Sequence, residues 1–75
     1  MAKRRDPLLQ ALGARVRQLR DAKGWTQEVL AARAGLDRSY IAGIEAGLRN
    51  PSTRALAQIA KGLGVNLASV VSNVD

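Results

Sequence analysis

The chain contains no cysteine and no histidine. Disulfides and the usual zinc sites are therefore excluded, and the composition is consistent with a reducing compartment. Six acidic residues are scattered along the chain, and no glycine-rich loop suited to cradling a phosphate accompanies them. Nothing assembles a nucleophile, an acid–base pair or a metal centre. The expectation is a protein that is not an enzyme and takes no cofactor and no metal. No apolar run approaches the ~20 residues of a membrane-spanning helix, and no leader-like segment opens the chain. A cytoplasmic protein without a membrane partner is expected, and no small-molecule ligand is evident. Phenylalanine is absent, and Trp25 and Tyr40 are the only aromatics. The 47% hydrophobic content comes almost wholly from alanine and branched aliphatics. Such side chains favour small, closely packed helices over a sheet.

Negative charge is also scarce. Twelve Lys and Arg against six Asp and Glu leave a net charge of +6. On so short a chain this points to a polyanionic partner, nucleic acid before an anionic membrane surface. A merely soluble basic surface is the alternative reading of charge alone. With 75 residues, residues 1–75 are expected to form one domain, near the lower size limit for a core without disulfides or metal.

Residues 1–6 read as a basic arm carrying Lys3, Arg4 and Arg5, either solvated or laid along a DNA backbone. Asp6-Pro7 is a helix start, with an N-cap followed by proline at the first helical position. Leu9, Leu12, Val16 and Leu19 then form one apolar face, and Gly24 stops the helix. Gly13 inside it costs roughly 1 kcal/mol against alanine, tolerated for a close helix contact. Four further starts repeat one device, an N-cap with apolar residues before it and four places after it. Thr26 is flanked by Trp25 and Leu30, and Asp37 by Leu36 and Ile41. Ser52 is flanked by Pro51 and Leu56, and Asn66 by Val65 and Val70. Five helices follow. The fourth, from Thr53 to Gly62 or Leu63, carries Leu56, Ile59, Ala60 and Leu63 on one face. The short fifth, from Leu67 to Ser72 within a 67–75 helix and tail, carries Leu67, Val70 and Val71 with almost no charge.

Between Thr26 and Gly47 the second and third helices meet at a tight corner. Ala31 is small where two helices nearly touch, and Gly35 accepts the positive φ that ends the second helix. This is the spacing of a helix-turn-helix, whose second helix enters the major groove of DNA. At about 100° per residue, Ile41 and Ile44 face inward while Arg38, Ser39, Ala42, Gly43 and Ala46 face outward. Arg38 suits the O6 and N7 of a guanine edge, Ser39 several bases, and Ala42 a thymine methyl. Gly43 keeps the face bare for a close approach to the groove. Gln27, Arg49, Asn50, Ser52 and Thr53 are expected at phosphates. Tyr40 either offers its hydroxyl to a phosphate, the reading preferred, or packs beneath Trp25. Glu45 sits toward the buried side, where an unpaired carboxylate is costly. Arg20 on the first helix is its expected partner in a structural ion pair.

At these residues the chain resembles the phage repressor and Cro-like helix-turn-helix proteins, the family named after the xenobiotic response element regulators. W-T-Q-E-V-L-A-A-R-A-G-L is similar to that family's first motif helix, and N-P-S-T-R-A-L-A-Q-I-A-K-G-L-G-V to its fourth helix. D-R-S-Y-I-A-G-I-E-A-G-L-R-N-P-S looks most like controller proteins of restriction–modification systems. The resemblance implies an all-α, five-helix domain like that of lambda repressor. It implies DNA-contacting roles for Arg38, Ser39, Tyr40, Arg49 and Asn50, a phosphate-binding role for Gln27, and a buried pair at Arg20 and Glu45. Two departures stand out. Gly43 replaces a polar residue that phage repressors often use to read bases, and Val29 replaces an exposed acidic residue. The function expected is sequence-specific binding of double-stranded DNA by a transcriptional regulator, as a homodimer on a near-palindromic operator. The dimer surface is expected at Leu67, Val70 and Val71. The alternatives are a DNA-binding antitoxin, which the short tail argues against, and a helical protein-binding module without DNA.

Overall fold

The computed structural model describes residues 6–72; the expected basic arm before Asp6 and the tail after Ser72 lie outside them. Five helices and no strand occur among the described residues: α1 Pro7–Ala22, α2 Gln27–Ala34, α3 Arg38–Glu45, α4 Thr53–Leu63 and α5 Leu67–Val70. Each starts where a short polar side chain can replace a missing backbone partner. Asp6 accepts from the Leu8 amide at 2.9 Å, Thr26 from Val29 at 3.2 Å, Ser52 from Ala55 at 3.0 Å and Asn66 from Ser69 at 2.9 Å. Asp37 departs from this pattern. It occupies the N-cap of α3 but makes no side-chain capping bond.

The corner between α2 and α3 is set by Gly35, whose φ of 69° is left-handed. The Leu36 amide then reaches back to the Ala31 carbonyl at 2.9 Å, the closing bond of a Schellman turn. A β-carbon is disfavoured at that φ, so glycine fixes the turn. α5 ends earlier than expected, at Val70 rather than Ser72. The Ser72 hydroxyl donates to the Ala68 carbonyl at 2.8 Å, taking the acceptor that a continuing helix would give to a backbone amide.

α1 packs on α3, α2 on both α3 and α4, and α5 closes against α4 and α1. Val16, Leu30, Ile41, Ile44, Ile59, Leu63 and Val70 are fully buried at the centre. Leu19, Trp25, Leu36, Tyr40, Leu56 and Val65 pack around them, partly exposed. Val70 corrects an expectation: it lies wholly inside its own chain's core and offers nothing to a second copy. Leu67 and Val71 remain exposed, at 38% and 42%. Arg15 fastens α5 from outside, its Nε donating to the Ser69 carbonyl at 2.8 Å. Among the described residues no helix is long and apolar enough to cross a membrane.

α1 and α3 approach so closely that only hydrogen fits between them. A β-carbon on Gly13 would stand 2.1 Å from the Ile44 carbonyl oxygen and 2.7 Å from that of Glu45. Backbone cannot yield as a side-chain tip can. Gly13→Ala is therefore expected to destabilise the fold even though alanine is the better helix former. Overpacking of about 3 kcal/mol less about 1 kcal/mol of helix propensity leaves a net loss of about 2 kcal/mol. Thermal unfolding should show a fall in Tm of roughly 10 °C.

Candidate nucleic-acid interface

Glu45, the last residue of α3, has only 4% of its side chain exposed. A carboxylate so placed must be paired, and Arg20 from α1 meets it in a two-pronged arrangement. Nε donates to Oε2 at 2.7 Å and Nη2 to Oε1 at 2.9 Å. The remaining guanidinium nitrogen, Nη1, donates to the Trp25 carbonyl at 2.7 Å, so Arg20 holds the α1–α2 turn as well. The hydrogen bonds to Glu45 push the Arg20 pKa up, further than burial pulls it down. Arg20 thus stays charged.

Gln27 completes the carboxylate's partners. Its Nε2 donates to Glu45 Oε1 at 3.1 Å, and its Oε1 accepts from Arg38 Nη1 at a long 3.4 Å. Arg38 also lies 3.9 Å from Glu28, but both side chains are largely exposed and such a pair contributes little. A continuous chain of contacts therefore runs from α1 through the end of α3 and the start of α2 to the first residue of α3. The sequence placed Gln27 at a phosphate and did not foresee its bond to Glu45. Its first-turn position on α2, beside a buried carboxylate, was the signal.

The outward surface of α3 starts with Arg38 and Ser39, both exposed; Ala42 and Gly43 are partly covered. The bare surface expected at Gly43 is not bare. The stem of Arg49 lies across it, with Cγ 2.5 Å from where a β-carbon would stand. Arg49 ends with its guanidinium 5.6 Å from the centre of the Tyr40 ring. Tyr40 itself is half-buried against the core. Its close ring neighbour is thus Arg49, while Trp25 is flanked by Arg33 at 4.5 Å and Lys23 at 5.4 Å. Asn50, Ser52 and Thr53 follow as exposed residues at the turn into α4, where Ser52 already serves as its cap.

Three helices are thus packed so that the polar start of α3, carrying Arg38 and Ser39, faces outward. A helix-turn-helix family model matches residues 16–70, from the middle of α1 to the end of α5. The chain belongs to the helix-turn-helix regulators of Cro/C1 type. It is a DNA-binding transcriptional regulator, and its relatives are bacterial and phage proteins. The restriction–modification controller protein C.AhdI from Aeromonas hydrophila is 44% identical, with a TM-score of 0.81 over 83% of this chain and 94% of that one. Control protein C.MunI from a Mycoplasma species is 39% identical over 64 residues, 84% of this chain and 86% of that protein. The immunity repressor of Bacillus phage phi105 is 38% identical over 60 residues, 80% of this chain but 42% of the repressor.

In this helix-turn-helix, Arg20→Met tests how far the ion pair holds the helices together. It removes the fork while leaving Glu45 with Gln27 alone. Orphaning a charge this deeply placed costs about 3 kcal/mol. Urea unfolding should show the midpoint fall with the slope unchanged; an unaltered midpoint would mean that the pair does not hold α1 to α3.

Proposed function

We propose that the chain binds a near-palindromic DNA site as a homodimer and controls genes of a restriction–modification system. The observation that carries the DNA-binding geometry is the start of α3. Arg38 and Ser39 stand exposed there, on a helix whose other end is tied to α1 and α2 through Glu45. An arginine at that place can set two donors against the acceptors of a guanine edge, and Ala42 one turn later can meet a thymine methyl. Around this edge, Gln27 at the first turn of α2 and Arg49, Asn50, Ser52 and Thr53 beyond α3 supply groups for phosphates on either side. Tyr40 contributes its hydroxyl to the same purpose.

A single module of this size touches few base pairs, and a two-fold repeat doubles them. Leu67 and Val71, exposed apolar residues on and after the short α5, supply the surface on which two copies meet. The similarity to C.AhdI and C.MunI over most of both chains supports the controller assignment. A regulator of this kind works in the cytoplasm, where its DNA lies, and needs no cofactor. An enzymatic role is set aside because the family consists of regulators.

The deciding experiment enriches duplexes from a randomised library with the wild-type chain and compares them with scrambled duplexes. Arg38→Ala should weaken binding to the enriched duplex by about 1–3 kcal/mol and relax selection at one position. Equal losses on both duplexes would remove Arg38 from base reading. The logarithm of the affinity should fall linearly with the logarithm of salt concentration, since phosphate contacts release counterions. In sedimentation, Leu67→Asp should shift the chain toward monomer and weaken binding to the palindromic duplex more than to one half-site. A dimer that survives this change would place the interface elsewhere.

A further inference from the structure

Helix α3 keeps a glycine at a position where fold stability alone favours almost any other residue. Gly43 lies in the middle of the helix, and its surroundings supply a reason. A β-carbon there would fall 2.5 Å from Arg49 Cγ and 3.6 Å from both Cβ and Cδ of the same side chain. The stem of Arg49 fills the volume that a side chain at residue 43 would need. Tyr40, one turn earlier on the same stripe of helix, takes the other end: the Arg49 guanidinium stands over its ring. That ring is anchored against the core, so the platform is fixed. The backbone completes the arrangement. The Leu48 amide donates to the Gly43 carbonyl at 2.9 Å, which turns the chain back so that the next residue falls across α3.

We propose that Gly43 is a positioning residue for DNA recognition: it seats Arg49 on the outward side of α3 and makes it a second DNA-contacting arginine beside Arg38. This rests on the DNA-binding reading of the same helix. On a helical projection Arg38 and Gly43 are about 140° apart, so the two arginines occupy opposite edges of the outward face. Arg38 is steadied from the α2 side by Gln27, and Arg49 from the other side by Tyr40 and Gly43. A loop arginine free to swing loses much rotamer freedom on contacting DNA, whereas one whose stem is already seated loses less. Any side chain at residue 43 evicts the stem and returns Arg49 to the free state.

The test compares Gly43→Ala, Arg49→Ala and the double variant on the duplex enriched by the wild-type chain. Arg49→Ala should weaken binding roughly five- to a hundredfold. Gly43→Ala should reproduce most of that loss while its thermal midpoint equals or exceeds that of the wild type. The double variant should bind no more weakly than Arg49→Ala alone, because both changes remove one arrangement. Wild-type binding by Gly43→Ala, or losses that multiply in the double variant, would overturn the proposal. An independent measurement needs neither variant nor DNA: nuclear Overhauser contacts from the Gly43 α-protons to the Arg49 γ-methylene in the free wild-type chain. Their absence would overturn the cradle. A wild-type chain that enriches no duplex would overturn the DNA-binding reading itself, whatever those contacts show.

Discussion

The carboxylate of Glu45 is the constraint on which the placement of α3 depends. A charge with so little exposure is tolerable only with donors on every side open to it, because burying an unpaired carboxylate costs several kcal/mol. Those donors come from two other helices: the Arg20 fork from α1 and the Gln27 amide from α2. Satisfying one carboxylate therefore sets the position of the end of α3 relative to both neighbours. Hydrophobic packing of Ile41 and Ile44 is non-directional and would allow α3 to roll or slide. A bidentate ion pair with fixed geometry does not. Because the network continues through Gln27 to Arg38, the interaction that holds the scaffold also bears on the residue proposed to meet DNA.

A core nearly without aromatic residues has to gain its stability from closeness rather than bulk. Small residues stand where helices cross. Gly13 lets α1 touch the backbone of α3. Gly62 does the same for α4 against α2, where a β-carbon would lie 3.0 Å from the Ala34 amide nitrogen. Ala34 faces the second of these contacts from α2, and Ala31 on the same helix is also nearly fully buried. Close approach multiplies weak dispersion contacts and draws backbone groups into reach of side chains, as when the Gln58 amide donates to the Ala34 carbonyl. Gly43 uses the same steric freedom on the outer side of a helix, for the stem of an arginine instead of a neighbouring helix.

Much of this was legible along the chain because it rests on local chemistry. Helix starts follow from a short polar side chain set before an apolar run, and the αL turn at Gly35 follows from the absence of a β-carbon. The partnership of Arg20 and Glu45 was also within reach, since a carboxylate on the inner flank of a helix demands a cation. Other features were not local. Asp37 has the identity of a cap yet makes no capping bond. Val70 reads as part of an outer surface because α5 carries almost no charge, yet it is buried. Four residues of helix give too little periodicity to tell the inner side from the outer. Gly43 reads as bare because helical projection counts only residues on the helix, and the group that covers it arrives from beyond the next turn.

The sequence by itself determined the number of helices and where they start, the corner between α2 and α3, the basic character of the chain and the identity of the buried charge. Each depends on neighbours within a turn of helix or on charge that no fold can hide. Only the tertiary structure decided which apolar residues of α5 face inward, that Gln27 is bound to Glu45, and that Arg49 lies across Gly43 toward Tyr40. These join residues separated by loops, and their geometry is fixed by packing distances that no spacing rule encodes. The stretch from Thr26 to Gly47 announces a helix-turn-helix on its own. The arrangement of its outward face is settled by Arg20 before it and Arg49 after it.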